Sequence, residues 1–299
     1  MIKIQKSDGV RGLKKYQSTL KKSVVLEGHG VHSGCSSVVK IHPADVGCGV
    51  SFKRFGVDGR EHILRAHASQ VGETELSTVL GYGDLKVRTI EHLMAAIIAY
   101  DLDNLVIEVS GDEVPILDGS SWQYCQLFEQ VGIVQQAALR TYFIIKKAIR
   151  VEIENSFAEF LPFHGRRFDV TIDFSSPAIG KQQFDLDLTS HNFRDNLSRA
   201  RTFGFIKDVE KLWISKKGLG ASLDNSLIIG LDHKILNPEG VHFEDEFVRH
   251  KMLDAVGDTA LLGSPFIGLF RSYCSGHSLN VRLVKAVLED ALCYEEGTF

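Results

Sequence analysis

The sequence predicts an α+β protein made of two similar halves. Short runs rich in β-branched and aromatic residues are grouped together, with helical stretches after them, which is typical of α+β folds and not of alternating βαβ folds. Each half also has the same order of several strands, a helix, a strand and a helix. The chain has 299 residues, which is enough for two domains of ordinary size or one large one.

The first half begins with strand-like runs divided by glycines and polar turns. These strands are predicted at residues 23–27, 36–42 and 49–55. A hairpin is predicted around residues 81–84. Thr89 is a predicted N-cap for a helix that runs to about Tyr100. A strand at residues 104–109 and a second helix ending near Gly132 complete this half.

The second half repeats this order after a join at about residues 134–140. Strands are predicted at 142–153, 157–163 and 168–174, then helical pieces at about 192–217, a strand at 226–230, a long helix at about 244–262, a strand at 265–273 and a last helix at about 278–293. The first helix of each half carries a similar motif, E-H-L-M-A-A at Glu91 and R-H-K-M-L-D-A at Arg249. A duplicated fold with pseudo-twofold packing would bring these two helices together.

These patterns predict the domain organisation. We expect a polar extension at residues 1–17, a first α+β domain at 18–135 and a second at 136–299, with an insertion near 192–222. The first 22 residues hold seven lysines or arginines and no apolar block, which argues against an ordinary secretory signal.

Composition narrows the class of protein. Apolar residues make up 44% of the chain and charged residues 24%, as in soluble globular proteins. A net charge of -4 argues against general nucleic-acid binding. The longest apolar run near a helix, residues 93–100, is too short to span a bilayer. Five cysteines without a C-x-x-C pair predict reduced thiols. We therefore expect a cytoplasmic monomer with no integral membrane segment.

One helix offers two metal ligands. His250 and Asp254 are four residues apart in the predicted long helix, so both side chains lie on one helical face. His92, in the first helix of the other half, offers a third ligand, and a His-His-Asp set with a free position is typical of metal hydrolases. The alternative interpretation is a solvated helix face that carries i, i+4 partners.

Three further features bear on chemistry, and each has a structural alternative. Glu91, beside His92, predicts either a general base or a carboxylate that complements the helix dipole. His277, at a strand–helix junction after a glycine, predicts either a general acid or a helix-capping or surface histidine. Arg199, Arg201 and Thr202, with their neighbouring aromatic rings, suit either an anionic, ring-bearing ligand or a surface loop with a buried aromatic pair.

Eight motifs together carry a family resemblance. In order they are G-H-G-V-H-S-G at Gly28, T-I-E-H-L-M-A-A at Thr89, D-N-L-V-I-E-V at Asp103, V-P-I-L-D-G-S at Val114, T-I-D-F-S-S-P-A-I at Thr171, S-R-A-R-T-F-G-F at Ser198, F-E-D-E-F-V-R-H-K-M-L-D-A-V-G-D at Phe243 and S-G-H-S-L-N at Ser275. Taken together, the chain resembles the UDP-3-O-acyl-N-acetylglucosamine deacetylases, zinc amidases that commit material to lipid A synthesis. The resemblance covers the chain from about Ser23 to Phe299.

The resemblance implies a fold and a metal site. Each of two domains would have a mixed sheet packed with two helices, with the helices layered between the sheets and the active site at the domain interface. His92, His250 and Asp254 would be the three zinc ligands and would leave a coordination position for water.

The resemblance also implies roles around the metal. Glu91 would be the general base. His277, oriented by Asp258, would be the acid that stabilises the oxyanion and protonates the amine. Thr202 would donate a hydrogen bond to the oxyanion, and Lys251 would meet polar groups of the substrate.

The expected substrate is UDP-3-O-acyl-N-acetylglucosamine. Phe203 would line the sugar or uracil region, and the acyl chain would lie in the insertion of the second half. His32 lies in a matching motif without an assigned role. The apolar residues of the insertion are Phe203, Phe205, Ile206, Leu212, Trp213 and Leu219.

Two parts of the chain depart from the family pattern, namely the basic extension before about Lys22 and the segment W-I-S-K-K-G-L-G-A-S-L-D-N-S from Trp213.

Two other interpretations of the function remain. One is a non-catalytic nucleotide-sugar-binding protein with a structural zinc, although such sites normally have four protein ligands and only three are evident here. The other is a hydrolase that uses iron or another divalent ion in the same site.

Overall fold

A computed structural model describes residues 13–56 and 59–299 of the chain. The elements of the first half are β1 (Tyr16–Leu20), β2 (Val24–His29), β3 (Ser36–Pro43), β4 (Val50–Phe55), β5 (Glu61–Arg65), α1 (Glu91–Ala99), β6 (Leu105–Val109), α2 (Trp122–Val131) and β7 (Ile133–Leu139).

The second half has nine strands and four α-helices in its described residues. They are β8 (Tyr142–Ile145), β9 (Ile149–Ile153), β10 (Ser156–Leu161), β11 (Arg166–Asp173), β12 (Lys181–Asp187), α3 (Ser190–Asn196), β13 (Phe203–Phe205), α4 (Val209–Ile214), β14 (Leu227–Ile229), α5 (Glu246–Thr259), β15 (Phe266–Tyr273), α6 (His277–Glu289) and β16 (Tyr294–Gly297).

The two main sheets have equivalent topologies. The first sheet has the order β2-β3-β6-β4-β5, and the matching path in the second is β9-β10-β15-β11-β12. In each sheet the last of these strands in the chain, β6 or β15, lies centrally between one antiparallel and one parallel neighbour. The second sheet adds β8, parallel to β15, and β16, antiparallel to β8. The predicted α+β fold with duplicated, mixed sheets is confirmed.

Helices α1 and α5 pack directly against each other. Helix α5 is not the first helix of the second half, as predicted, because the short helices α3 and α4 precede it. Every residue of α1 except Ile98 is buried, as expected of a helix that is covered on all sides. Helix α5 also packs on β11 and β12, and α6 packs on α5, β9 and β10. Gly257 of α5 allows this close approach, because a β-carbon there would lie 2.1 Å from the carbonyl oxygen of Glu91.

A buried charge network joins the two halves behind these helices. Arg140 is fully buried and donates hydrogen bonds to Asp103, at 2.7 Å, and to Asp101. Arg166 of β11 donates to the same Asp101 oxygen at 3.0 Å. Asp103 also accepts a hydrogen bond from the backbone of Ser18 in β1. Each buried arginine of this network therefore faces at least one carboxylate, which offsets the cost of burying its charge.

Several local predictions need correction. The hairpin near residue 83 contains only a single antiparallel bridge between Leu80 and Val87. Thr89 does not cap α1, because it has a positive φ of 56° and its hydroxyl donates to Glu113 instead. The predicted join at 134–140 is a strand, β7, paired with β1. Its ladder was missed because its pairing partner is distant in sequence.

Four further observations bear on the predictions from the sequence. Residues 1–12 of the predicted polar extension lie outside the described residues, and β1 begins inside the predicted range, at Tyr16. The predicted single strand over 142–153 is two strands, β8 and β9, which lie in different ladders of the second sheet. All five cysteines are free. Among the described residues there is no helix long and apolar enough to cross a membrane.

Candidate metal centre

The three residues proposed as metal ligands meet where α1 packs on α5. His92 is the second residue of α1, and His250 and Asp254 lie one turn apart in α5. Nε2 of His92 lies 3.5 Å from Oδ1 of Asp254, and Nε2 of His250 lies 3.4 Å from the same oxygen. One ligand atom from each residue lies within 4.8 Å of the others, so this cluster could hold a metal ion.

The distances from Oδ1 of Asp254 to the two imidazole nitrogens fit one bound cation. Two ligand atoms at about 2.1 Å from a tetrahedral metal ion are about 3.4 Å apart. Oδ1 of Asp254 is buried and accepts no hydrogen bond from any described residue, a costly state for a carboxylate that a cation would relieve. His250 and Asp254 are only 2% and 3% exposed. The alternative of a solvated helix face is therefore wrong.

Neighbouring groups prepare the ligands for a metal. Nδ1 of His250 lies 3.0 Å from the carbonyl oxygen of Ala200, and because a carbonyl can only accept, Nδ1 carries the proton and Nε2 is left to bind. Burial lowers the pKa of His250 to about 3. Lys251 donates to Oδ2 of Asp254 at 2.9 Å. Burial opposes ionisation of Asp254, but His250 and Lys251 outweigh it and hold the pKa of that carboxyl well below its usual range.

Glu91 lies beside the ligands, at the first position of α1. Its side chain is 2% exposed, and Oε2 accepts a hydrogen bond from the backbone N–H of Thr78 at 3.0 Å. Oε1 lies 3.8 Å from Nε2 of His277. Burial raises the pKa of Glu91, which suits a group that must take and release a proton near neutral pH. Its place at a helix N-terminus is also favourable for a carboxylate.

His277 forms a buried pair with Asp258. Nδ1 of His277 lies 2.9 Å from Oδ2 of Asp258, and Nε2 lies 4.0 Å from Oδ2 of Asp254. Burial opposes the charged imidazolium, but the carboxylates of Asp258 and Glu91 outweigh it and raise the pKa of His277 to about 9. In the metal-free protein His277 is thus a cation at neutral pH, with a proton on the nitrogen that faces Glu91. The alternative of a helix-capping or surface histidine is wrong, since His277 is buried and the N-cap of α6 is Gly276.

Two similarities relate the chain to known proteins. Residues 17–289 match the family described as LpxC, UDP-3-O-acyl N-acetylglycosamine deacetylase. Proteins of Brucella ovis, Brucella canis and Brucella melitensis biotype 2 named UDP-3-O-acyl-N-acetylglucosamine deacetylase are each 51% identical over 280 residues, which cover 94% of this chain and 98% of theirs. The chain belongs to this deacetylase family. The resemblance inferred from the motifs is confirmed.

In this member of the deacetylase family, the cluster of His92, His250 and Asp254 opens into a cavity of about 450 Å³. The cavity is lined by the cluster and by the other predicted site residues except Asp258, which is fully buried behind His277. Lys251 lies at this cavity with its Nζ 5.6 Å from the ring centre of Phe203. The cavity residues from the predicted site are Glu91, His92, Thr202, Phe203, His250, Lys251, Asp254 and His277.

A second, mainly apolar cavity of about 460 Å³ begins at the same residues and extends into the second-half insertion. Glu91, His92, Thr202 and Phe203 border both cavities. His32, whose role was unassigned, lines the apolar cavity. Leu219, predicted to line it, does not, and its backbone N–H donates to His32. The insertion residues that do line it are Phe203, Phe205, Ile206, Leu212 and Trp213.

The deacetylase-family motif S-R-A-R-T-F-G-F contributes to the site differently from the arginine-based prediction. Arg201 is buried, donates to Glu246 and Glu239, and lines neither cavity, so its guanidinium is not placed to bind an anionic ligand there. Arg199 is exposed and lies over the ring of Trp122. Arg201 instead anchors its segment to the start of α5, one turn before His250.

Sequence reasoning missed two residues that contact the site of this deacetylase-family chain. Asn280 donates to Oδ2 of Asp258 at 2.9 Å, and its position one turn after His277 in α6 could have suggested this. Thr78 donates to both Asp258 and Glu91. No local signal indicated Thr78, because it lies in an irregular segment, 13 residues before Glu91 and 180 residues before Asp258.

Proposed function

We propose that the protein is a zinc-dependent deacetylase that removes acetate from UDP-3-O-acyl-N-acetylglucosamine in lipid A biosynthesis, in the cytoplasm. The observation that carries this proposal is the convergence of three metal-binding atoms, a buried glutamate and a histidine–aspartate pair on one cavity. The substrate is the one in the names of the Brucella relatives.

His92, His250 and Asp254 would hold the zinc ion, through two imidazole nitrogens and a carboxylate oxygen. When bound, zinc supplies a Lewis acid that polarises an amide carbonyl and makes a water more acidic. The remaining steps depend on side chains of the chain itself.

Glu91 would act as the general base. Oε2 is engaged by the N–H of Thr78, whereas Oε1 faces the cavity and His277. A carboxylate held at one oxygen and free at the other can take a proton from the attacking water. The raised pKa of Glu91 brings its basicity closer to neutrality, which favours this transfer.

His277 would stabilise the oxyanion and then protonate the departing amine. The carboxylates of Asp258 and Glu91, which raise its pKa to about 9 in the metal-free protein, favour a proton on Nε2. An amide anion is a very poor leaving group, so collapse of the tetrahedral intermediate needs this proton. Asp258 holds Nδ1 and so orients the ring, and Thr202, at the junction of both cavities, would donate to the oxyanion.

The two cavities suit the two ends of the substrate. Lys251 and Phe203, at the polar cavity, would meet the phosphate or sugar groups and the ring system. The apolar cavity would hold the 3-O-acyl chain, because its lining is rich in aromatic and aliphatic side chains and it begins at the metal cluster.

A non-catalytic protein with a structural metal fits these observations less well. Structural zinc sites are normally closed by four protein ligands, whereas the cluster within the described residues has three. A purely structural site also gives no reason for burying Glu91 and His277 next to it at a desolvation cost. Iron in the same site is a competing choice of metal and does not change the residues involved.

The experiment follows acetate release from UDP-3-O-acyl-N-acetylglucosamine by mass spectrometry. The parent should contain one divalent ion per chain, lose activity with a chelator and regain it with zinc; restoration by ferrous ion alone would identify iron instead. Glu91→Ala should keep the metal and the fold but lower kcat by about 10²- to 10⁴-fold. Glu27→Ala, at an exposed glutamate of the same half, is the matched control. Full activity of Glu91→Ala would exclude Glu91 as the base.

A further inference from the structure

Thr78 contacts two of the carboxylates around the metal cluster. It is fully buried and lies outside the named strands and helices, two residues before the bridge at Leu80. Its backbone N–H donates to Oε2 of Glu91 at 3.0 Å, and its hydroxyl donates to Oδ1 of Asp258 at 2.6 Å. Thr78 and Glu91 belong to the first half of the chain, whereas Asp258 belongs to α5 of the second half.

The bond to Glu91 distinguishes its two carboxylate oxygens. Oε2 is engaged by the main chain of Thr78, and Oε1 is the oxygen 3.8 Å from Nε2 of His277. Because the donor is a backbone group, this bond persists whatever side chain is present at position 78. It also couples the position of the Thr78 backbone to the orientation of the proposed base.

The bond to Asp258 completes the set of donors around that carboxylate. Oδ2 of Asp258 accepts hydrogen bonds from Nδ1–H of His277 and from the side-chain amide of Asn280, both at 2.9 Å. The hydroxyl of Thr78 donates to the other oxygen, Oδ1. Asp258 is fully buried. Without the hydroxyl, Oδ1 would be a buried acceptor with no donor among these neighbours, and the carboxylate would gain by turning away from His277.

We propose that Thr78 is a positioning residue for the deacetylation, whose hydroxyl fixes the orientation of Asp258 and through it the imidazole of His277. This inference rests on the proposed function. Thr78 does not line either cavity at the metal cluster, so it acts through other side chains and not on the substrate. It also links the segment before α1 to α5, which fixes the position of Glu91 relative to His277.

The test compares Thr78→Val, which keeps the shape but removes the hydroxyl, with Thr78→Ser, which keeps the hydroxyl. Thr78→Val should lower kcat by about 10- to 100-fold, the usual loss when a supporting partner of a metal-site residue is removed. KM and metal content should stay those of the parent, and Thr78→Ser should recover most of the rate. Thr259→Val is the matched control, because the buried hydroxyl of Thr259 donates only to a carbonyl of its own helix.

A structural readout separates this inference from the proposed function. In protein labelled with ¹⁵N-histidine, the hydrogen-bonded Nδ1 proton of His277 should be observed in the parent and in Thr78→Ser, and should shift upfield or exchange rapidly in Thr78→Val. This measurement needs no substrate and can be made with and without zinc. An inactive parent that shows these differences would overturn the proposed reaction but support the positioning by Thr78.

A double-mutant cycle decides whether Thr78 acts through Asp258. If it does, adding Thr78→Val to Asp258→Asn should lower kcat by less than about 3-fold further, since coupled residues are not additive. A parent-like kcat in Thr78→Val, or equal losses in Thr78→Val and Thr78→Ser, would overturn the inference. Should Thr78→Val fail to fold, Thr78→Ala serves in its place with the same expectations.

Discussion

Gly257 of α5 lies against the backbone of Glu91 of α1, so closely that a β-carbon on Gly257 would be 2.1 Å from the carbonyl oxygen of Glu91. Glu91 precedes His92, and Gly257 follows Asp254 by three residues. The contact therefore sets the distance between the helices that carry the three proposed ligands. Helix α5 needs a glycine here for close approach, although glycine lowers helix stability.

We predict that Gly257→Ala separates α1 from α5 and weakens metal binding. Overpacking of this kind usually costs about 1–3 kcal/mol of stability, and the ligand spacing should change with it. Zinc affinity by calorimetry and the free energy of unfolding by urea titration both measure the effect. Gly204→Ala is the control, because a β-carbon there meets nothing within 4 Å. Unchanged zinc affinity in Gly257→Ala would contradict the prediction.

We predict that Leu212→Trp shortens the acyl chain that the apolar cavity accepts. Leu212 lines that cavity, so a larger side chain should reduce the space for a long chain. The ratio of kcat/KM for long-chain to short-chain UDP-sugars should fall by about 10-fold or more, the discrimination expected for one or two methylenes. Lys211→Trp puts the same ring at an exposed neighbour outside the cavity and should leave the ratio unchanged. Equal ratios in both variants would show that the chain lies elsewhere.

We predict a pH-dependent stability term from His277 in the metal-free protein. Its pKa of about 9 in the folded state lies above the unfolded value of about 6.5. Protonation of His277 therefore favours folding. Its contribution to the free energy of unfolding is complete below pH 6.5 and is lost as pH rises to 9. The term is about 3 kcal/mol at most.

Urea titrations of the chelated protein at pH 6 and pH 9 measure this term. The parent should lose more unfolding free energy over this interval than His277→Gln, whereas His164→Gln, at an exposed histidine, should behave as the parent. If the parent and His277→Gln lost the same amount, the pKa of His277 would not be raised.

We predict that Arg140→Leu strongly destabilises the protein. It would leave Asp103 without its buried cationic partner and Asp101 with Arg166 alone. Removing one partner of a buried ion pair typically costs about 3–5 kcal/mol. Arg194→Leu, which removes two ion pairs on the surface, should barely move the urea midpoint. Similar midpoints for the two variants would mean that the buried network adds little to stability.

Helix periodicity and motif order made much of the fold and site predictable. The four-residue spacing of His250 and Asp254 determines that they share a face of α5, and the repeated element order predicted the duplicated sheets. The long motifs also predicted the family correctly. Six strands were missed because their ladders depend on partners remote in the sequence or on short runs with weak patterning, namely β1, β5, β7, β12, β13 and β16.

The sequence by itself determined the family, the α+β class and which residues could bind a metal. Only the tertiary structure decided that His92 meets His250 and Asp254, that Arg201 is buried in ion pairs and that Thr78 reaches two carboxylates. The physical reason is the range of the interactions. Spacing within one helix follows from its 3.6-residue turn, whereas contacts between distant segments depend on how the whole core packs, down to the missing β-carbon of Gly257.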